Sequence, residues 1–500
     1  MSNYFYNLLK IFMINKISNT GFNFDNSYIE LPPEFYSPAN LQPVKSPQLV
    51  ILNNELSNSL GLNTDFLKSQ EGIYIMSGNI KIPDGAYISQ AYAGHQFGGF
   101  TMLGDGRALL IGEQITPSNQ RFDIQLKGSG RTPYSRNGDG RAVLGPMLRE
   151  YIISEAMHGL KIPTTRSLSV ISTGENVYRE TIQQGAILTR VASSHIRFGT
   201  FEYAAYMLDY EKLKKLSDYT IKRHFPFLEN NENKYINLLD EVIKLQASLV
   251  AKWQSVGFIH GVLNTDNMSI CGETIDYGPC AFMDVYNPNT VFSSIDTNGR
   301  YAYKNQIAIV NWNLYRLAET LLPIINLDEN KAIELAQNSL SKFINLATSN
   351  LSHEMCSKIG IFEPKTSDID LLNELLNTMQ KYKEDYTNTF IALTFNDLPQ
   401  KGMFISEEFI NWKKKWEETL TLQNKSKDEV FDLMKNSNPA VIPRNHRVEE
   451  ALSAANNRDF SVMNNLLKAL SNPFEHSEFQ KEYAKLPSTP QCNYRTYCGT

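Results

Sequence analysis

One stretch near the middle of the chain restricts the possible folds more than any other feature. It joins an amphipathic helical segment, Tyr235–Val256, to a polar loop, His260–Asn267, and Asp276 follows nine residues after the end of that loop. Glycine-punctuated apolar runs before this stretch predict strands, whereas periodic apolar stripes after it predict helices. We therefore expect a strand-rich part followed by a helix-rich part, with the polar loop placed after the first long helix.

The polar loop has the residue order of a protein-kinase catalytic loop, with one change. In kinases an Asp of this loop accepts the substrate hydroxyl's proton, and an Asn and a later Asp hold Mg²⁺. Here Val262 stands at the position of the proton acceptor, and its side chain cannot take a proton. The metal-type pair Asn267 and Asp276 is kept, and a carboxylate, Asp266, lies beside the asparagine. The site is expected to hold Mg²⁺–nucleotide without running the standard kinase mechanism.

Composition restricts the partners and the compartment. The chain has 500 residues and a net charge of −5, which argues against a nucleic-acid-binding protein. No apolar run reaches the length of a membrane span, so no membrane partner is expected. The five cysteines show no Cys-x-x-Cys spacing and are expected to be reduced thiols in a cytoplasmic protein. Targeting of the apolar N-terminal segment to an organelle is left open, and a monomer is expected.

Local patterns place individual elements and the boundaries between units. Strands are predicted at 108–111, 122–126, 167–171 and 187–191, and helices at 146–159, 235–256, 310–322, 328–346 and 407–422. The fold class is therefore α+β, a protein-kinase-like two-lobed fold with N- and C-terminal extensions. The predicted units are an extension (1–85), a small lobe with nucleotide-binding loops (86–209), a helical lobe with the catalytic and metal-binding loop (210–430), and a helical extension with a cysteine-containing tail (431–500).

Lys127 and Glu150 form a second candidate constellation. In kinase-like folds a strand lysine contacts the nucleotide phosphates and a helix glutamate orients it. Alone, the two would be read as a surface lysine and a solvated helix acid, but beside Asn267 and Asp276 the functional reading is favoured. Arg190 and Arg197 can bind phosphates in bidentate fashion or lie on the surface, and the sequence leaves both readings open.

Two glycine-containing loops complete the candidates. Gly104-Asp105-Gly106-Arg107 allows close approach of the backbone to phosphates, although Asp-Gly is also a common hairpin turn. The segment 131–141 holds three arginines and two glycines and is expected to donate N–H groups to a triphosphate rather than to be a plain solvated loop. His260 is interpreted as structural, and Cys271 and Cys280 as small buried residues.

With these motifs together, the chain resembles the selenoprotein O family of pseudokinase-like protein adenylyltransferases. The resembling stretches are 90–98, 103–107, 125–133, 138–142, 260–279 and 439–446, and the likeness runs from about Pro32 to the end. The resemblance implies a kinase-like fold that binds ATP in a flipped orientation with Mg²⁺, or with Mn²⁺ in its place, and transfers AMP to Ser, Thr or Tyr hydroxyls of proteins. It also implies roles for twelve residues: nucleotide binding by Gly104, Gly106, Arg107, Lys127, Asp139, Gly140, Arg190, Arg197 and Asp276, support of Lys127 by Glu150, general-base catalysis by Asp266, and metal binding by Asn267 and Asp276.

Two other functions and one feature of the tail stay open. A kinase that transfers the γ-phosphate with Asp266 as a displaced base is the alternative enzyme, and Val262 counts against it. A nucleotide-binding scaffold without activity is the non-enzymatic alternative, and retention of all the metal- and phosphate-type residues counts against it. Cys498 stands third from the end, where family members carry Cys or selenocysteine, and it is either a free thiol or a disulfide partner of Cys271, Cys280 or Cys492.

Overall fold

An antiparallel sheet of eight strands forms the N-terminal part of the protein. The structure is a computed structural model and describes residues 20–487. In chain order the strands are β1 (Tyr36–Pro38), β2 (Gln48–Leu52), β3 (Ile88–Gln90), β4 (Ala93–Gln96), β5 (Gly99–Met102), β6 (Ala108–Ile115), β7 (Arg121–Lys127), β8 (Ala142–Val143), β9 (Arg166–Tyr178), β10 (Ile182–Ala192), β11 (Phe258–Ile259) and β12 (Ala281–Phe282). The order across the large sheet is β1-β3-β6-β7-β10-β9-β2, with β8 paired to β10, while β4–β5 and β11–β12 form separate hairpins.

Helices dominate the rest of the chain. They are α1 (Asn54–Ser59), α2 (Thr64–Lys68), α3 (Gln70–Met76), α4 (Leu144–Gly159), α5 (Phe198–Met207), α6 (Tyr210–His224), α7 (Lys234–Ser255), α8 (Gln306–Ile325), α9 (Glu329–Ser357), α10 (Thr366–Tyr382), α11 (Tyr386–Phe395), α12 (Glu407–Thr421), α13 (Lys427–Ser437), α14 (Asn445–Asn456), α15 (Ser461–Leu470) and α16 (Glu478–Tyr483). None of the helices within residues 20–487 combines the length and the apolar character needed to cross a bilayer.

The sheet and α4 together position the first half of the site. Strand β7 lies in the middle of the sheet, and Lys127 at its end pairs with Ala108 of β6 and Leu188 of β10. Helix α4 packs against β9 and β10 on one side and against α14 and α15 on the other. Because it is enclosed from both directions, it is buried over most of its circumference and includes a buried Arg149 and Glu150.

The second half of the site lies between α7 and α8. The short hairpin β11–β12 brackets the polar loop, since Phe258 pairs with Phe282 and Ile259 with Ala281. Helix α7 packs its apolar face against α8 and α9, which fixes the base of the loop. Strands that carry a lysine, a following helix that carries a glutamate, and a loop behind the first long helix make this an α+β, kinase-like architecture.

The predicted strands and helices are confirmed. Some of them end at other residues than predicted, and some strands outside the predicted small lobe also join the large sheet. Helix α9 begins after the predicted Asp328, which caps it by accepting the Lys331 N–H, but it continues to Ser357, eleven residues beyond the predicted end. Strands β1 and β2, from the predicted N-terminal extension, are part of the large sheet. The boundaries of the four predicted units stay a prediction, and Cys492 and Cys498 lie outside the described residues.

Candidate active site

A cavity of about 710 Å³ lies between the sheet and the helical part, and it is lined from both sides. Nine of the twelve predicted site residues line it: Gly106, Arg107, Lys127, Glu150, Arg190, Arg197, Asp266, Asn267 and Asp276. These residues come from the loop before β6, from β7, β10 and α4, from the start of α5, from the polar loop and from the turn after it, which are far apart along the chain. A cavity of this size suits a nucleotide-sized ligand.

Asp276 is the centre of a charged cluster inside this cavity. Its Oδ1 accepts hydrogen bonds from Lys127 Nζ at 3.0 Å and Arg190 Nη1 at 2.5 Å, and its Oδ2 accepts from Arg197 Nη1 at 3.0 Å. Lys127 Nζ also donates to Glu150 Oε2 at 2.6 Å, the ion pair expected from the sequence. Three cationic side chains that converge on one point of the cavity offer N–H donors to an anionic ligand such as a polyphosphate.

The backbone and the ionisation of Asp276 are both unusual. Its φ is +61°, a left-handed conformation that a non-glycine residue holds only where the surroundings enforce it. Burial by itself would raise the pKa of the Asp276 carboxyl, but the charges of Lys127, Arg190 and Arg197 outweigh burial and hold this pKa well below its usual range. Asp276 is therefore an anion at neutral pH, with a side chain that is still 24% exposed to the cavity.

Asp266 and Val262 line the same cavity. Val262 is buried and lines the cavity with an apolar side chain. Asp266 is only 6% exposed, and burial raises the pKa of its carboxyl to about 6, with Arg197 and a hydrogen bond from Gln96 acting in the opposite direction. Arg197 also donates to the Asp266 backbone carbonyl at 2.8 Å, so one arginine ties Asp266 to Asp276. A carboxylate that is poised to take a proton near neutral pH therefore faces the same cavity as the cationic cluster.

The pair Asn267 and Asp276 fits a hard divalent cation. Asn267 Nδ2 donates to the Val262 carbonyl at 2.9 Å, which leaves its amide oxygen as the ligating atom. A carboxylate and an amide oxygen are ligands that Mg²⁺ accepts, usually with phosphates and waters completing its shell. Within residues 20–487 there is no cluster of three or more His, Cys, Asp or Glu side chains that could hold a metal.

His260 is structural, as the sequence indicated. It is fully buried, and its Nε2 lies 3.0 Å from the Ile275 carbonyl, one residue before Asp276. Its backbone N–H donates to Gln306 of α8. Through these contacts His260 connects the start of the polar loop to the turn that carries Asp276. The interpretation as a small buried residue holds fully for Cys280 and less so for Cys271, which is half-buried.

Three predicted residues do not line the cavity. Gly104 has φ of +112°, and a Cβ there would lie 2.5 Å from the ring of Tyr134. Asp139 forms an ion pair with Arg179 at 2.9 Å, and Gly140 packs on the backbone of Gly130. The arginines of the segment 131–141 are likewise outside the lining, and Arg141 donates to the carbonyls of Ser129 and Gln42 instead. In this structure most of the segment 131–141 is exposed, and its C-terminal end, Gly140 and Arg141, contacts the protein's own backbone.

Other residues of the cavity were not singled out from the sequence as binding residues. Asp105, inside the glycine motif, is buried, and burial raises the pKa of its carboxyl to about 6. Its Oδ2 accepts from Gln125 Nε2 at 3.1 Å, and Gln125 Oε1 accepts from Arg190 Nη2 at 2.6 Å. Asp105 of the glycine motif therefore orients the Arg190 side chain through Gln125. The alternation of polar and apolar residues along β7 was the available signal for Gln125.

The C-terminal extension also reaches the cavity. Glu449, Leu452, Ser453 and Asn456 of α14 line its far end, and Arg149 of α4 bonds to Glu449 and to the Cys280 carbonyl. Arg444, just before α14, is completely buried and forms a bidentate pair with Asp385. The motif 439–446 marked this region as distinctive, but nothing in it indicated contact with the cavity.

Fold and cavity together define a kinase-like protein with a cleft that gathers three cationic side chains, an Asn–Asp pair and a second buried carboxyl. The family described as "Protein adenylyltransferase SelO" matches residues 19–471. The chain belongs to this family, and as a member it is a nucleotidyltransferase.

Curated relatives and one solved structure give the range of similarity. "Protein nucleotidyltransferase YdiU" of Bacillus cytotoxicus is 62% identical over 97% of this chain and 99% of its own length. The proteins of the same name from Clostridium beijerinckii and Bacillus mycoides are each 60% identical, over 97% and 98% of this chain and 99% and 100% of their own lengths. The structure of ROP2 from Toxoplasma gondii, described as having a protein-kinase fold and no enzymatic activity, is 9% identical over 67% of this chain and 88% of its own. Its TM-score is 0.24, so this likeness adds nothing to the fold assignment.

Proposed function

We propose that this enzyme transfers AMP from ATP to hydroxyl groups of Ser, Thr or Tyr side chains in protein substrates. The hydroxyl oxygen attacks the α-phosphorus and forms a new P–O bond. The bond between the α-phosphorus and the oxygen bridging to the β-phosphorus breaks, and pyrophosphate leaves. The hydroxyl proton passes to the Asp266 carboxylate, which acts as general base.

The observation that carries the proposal is that Val262 stands where kinases have the base, whereas Asp266 places a carboxyl group in the same cavity. Val262 occupies the position of the kinase base and offers only an apolar surface. Asp266, four residues later, is the buried carboxylate that faces the cluster around Asp276. A base that has moved along the loop supports attack at a different phosphorus from the one that kinases use.

Phosphate binding is assigned to Lys127, Arg190 and Arg197, with Arg107 at the glycine motif. Their cationic side chains line the cavity, where they can donate hydrogen bonds to the phosphate oxygens. Asn267 and Asp276 would hold Mg²⁺, or Mn²⁺ in its place, and the cation would neutralise charge on the phosphates.

ATP labelled separately at the α- and the γ-phosphate tests the reaction. Incubation with protein substrates should transfer the α label and none of the γ label, while pyrophosphate is released. Transfer of the γ label would instead make the protein a kinase, and transfer of neither would support a nucleotide-binding scaffold.

Substitutions at the two carboxylates test the assigned roles. Asp266→Ala should lower AMP transfer by about 100-fold or more while nucleotide binding is kept, because only the proton acceptor is lost. Asp276→Ala should abolish transfer and weaken Mg²⁺–ATP binding as well. Asp370→Ala, at an exposed position of α10, is the matched control and should behave as the wild type. Full transfer by the Asp266 variant would remove this residue as the base.

A further inference from the structure

The hairpin β4–β5 stands apart from the large sheet and lies over the polar loop. Its strands pair only with each other in the described chain, with Gln96 opposite Gly99. The two residues of its turn, Phe97 and Gly98, both have positive φ (+51° and +90°), which is the geometry of a tight two-residue hairpin. A hairpin this short is marginal by itself, so its position depends on what it is docked against.

Three consecutive hairpin residues contact three consecutive loop residues. The His95 N–H donates to Thr265 Oγ1 at 2.7 Å, and the Phe97 N–H donates to Asn264 Oδ1 at 3.1 Å. Between them, Gln96 Nε2 donates to Asp266 Oδ2 at 3.4 Å. The two outer bonds fix the hairpin in register with the loop, and the middle one falls on the proposed base.

Glu202 of α5 contacts both the β4–β5 hairpin and the polar loop and holds them together. Its side chain is fully buried, its Oε1 lies 2.6 Å from His95 Nδ1, and its Oε2 accepts from Thr265 Oγ1 at 2.6 Å. A buried carboxylate with both oxygens engaged is costly to move, because separation would leave it without partners. The hairpin and the loop are therefore expected to move as one unit.

Because Gly94 has no side chain, the Asp266 side chain can lie in the space next to it. A Cβ at Gly94 would lie 2.8 Å from Asp266 Oδ1 and 2.9 Å from Asp266 Cβ, closer than real Cβ atoms approach other atoms. Oδ1 has no hydrogen-bond partner among the described residues. The orientation of the carboxylate is thus set by the wall at Gly94 on one side and by the Gln96 amide on the other.

We propose that the β4–β5 hairpin holds the Asp266 carboxylate in the orientation that accepts the acceptor hydroxyl's proton, and that Gln96 is its positioning residue. This inference rests on the proposed function, since it gives Asp266 the role of base. Gln96 acts through Asp266, so its loss should affect the chemical step and leave the nucleotide phosphates bound.

Two substitutions of Gln96 test the hydrogen bond. Gln96→Leu removes the hydrogen-bond donor to Asp266. Gln96→Glu keeps the shape of the side chain but places an accepting carboxylate against the Asp266 carboxylate. We expect kcat for AMP transfer to fall about 10- to 100-fold in the Leu variant and further in the Glu variant, because small misplacements of a reacting group are costly. The dissociation constant of Mg²⁺–ATP should stay within about twofold. A Glu variant with wild-type kcat, or equal losses in kcat and in ATP affinity, would overturn the proposal.

Glycine substitutions test the wall. Gly94→Ala should lower kcat at least as much as Gln96→Leu, whereas Gly99→Ala, on the facing strand, should not, because the nearest atom to its added Cβ is 3.6 Å away. If Gly94→Ala does not fold, the Gln96 pair decides. Asp266→Asn, assayed alongside, separates the two levels of inference. An active Asp266→Asn enzyme would refute the base assignment itself, whereas an inactive one with unaffected Gln96 variants would refute only the positioning role.

Discussion

Lys358, far from the cavity, is a buried lysine whose replacement should stabilise the protein. It follows the end of α9, is 2% exposed, and places its Nζ 4.6 Å from the ring centre of Phe390. Its ammonium donates one long hydrogen bond, 3.4 Å, to the Ser437 carbonyl. Burial lowers the pKa of Lys358 from 10.5 to about 7, and the charge of Glu354 opposes this only in part. Lys358→Met keeps most of the packing volume and removes the ionisable group.

The magnitude follows from the two pKa values. Between pH 7 and 10.5 the unfolded chain keeps a proton that folded Lys358 has lost, so the free energy of unfolding rises with pH in this window. At about 1.4 kcal/mol per pH unit, burial of Lys358 costs about 4 kcal/mol at pH 7 and about 2 kcal/mol at pH 9. We therefore expect the Met variant to exceed the wild type in stability at pH 7, and this advantage to shrink by about 2 kcal/mol at pH 9.

Urea unfolding of both proteins at pH 7, 8 and 9 measures the difference directly, since other titrating groups cancel between them. Lys414→Met, at an exposed position of α12, is the matched control and should follow the pH dependence of the wild type. An advantage of Lys358→Met that is the same at pH 7 and pH 9 would refute the reasoning, as would a variant less stable than the wild type at pH 7. AMP transfer at low temperature should be unchanged, because Lys358 does not line the cavity.

Three further outcomes are expected. Arg444→Met should destabilise the fold by about 3–5 kcal/mol in urea unfolding, because Asp385 then becomes a buried charge without its partner; adding Asp385→Asn should restore part of the loss, and no restoration would contradict this. Glu150→Gln should lower AMP transfer by about tenfold or more in the label assay, since Lys127 loses the carboxylate at 2.6 Å that orients it. Chelation with EDTA should stop transfer until Mg²⁺ or Mn²⁺ is added back, and transfer that continues in EDTA would remove the metal role of Asp276.

Much of the fold and part of the site could be predicted because the signals are local. The alternation along β7 and the apolar stripe of α7 depend on neighbouring residues, and their elements are found where they were expected. The expected contact of the segment 131–141 with the phosphates stays a prediction, and in the structure Arg141 and Asp139 contact other parts of the protein. A basic loop looks the same in sequence whether its charges face a ligand or the protein's own carbonyls.

The sequence by itself determined the order of strands and helices and the replacement of the kinase base by a valine, because both follow from the spacing of residues along the chain. Only the tertiary structure decided that Asp276 would gather Lys127, Arg190 and Arg197. It also brought α14 to the cavity through a pair of residues 300 positions apart. The physical reason is that contacts between residues so far apart along the chain depend on how whole elements pack. The pattern of neighbouring residues contains no information about that packing.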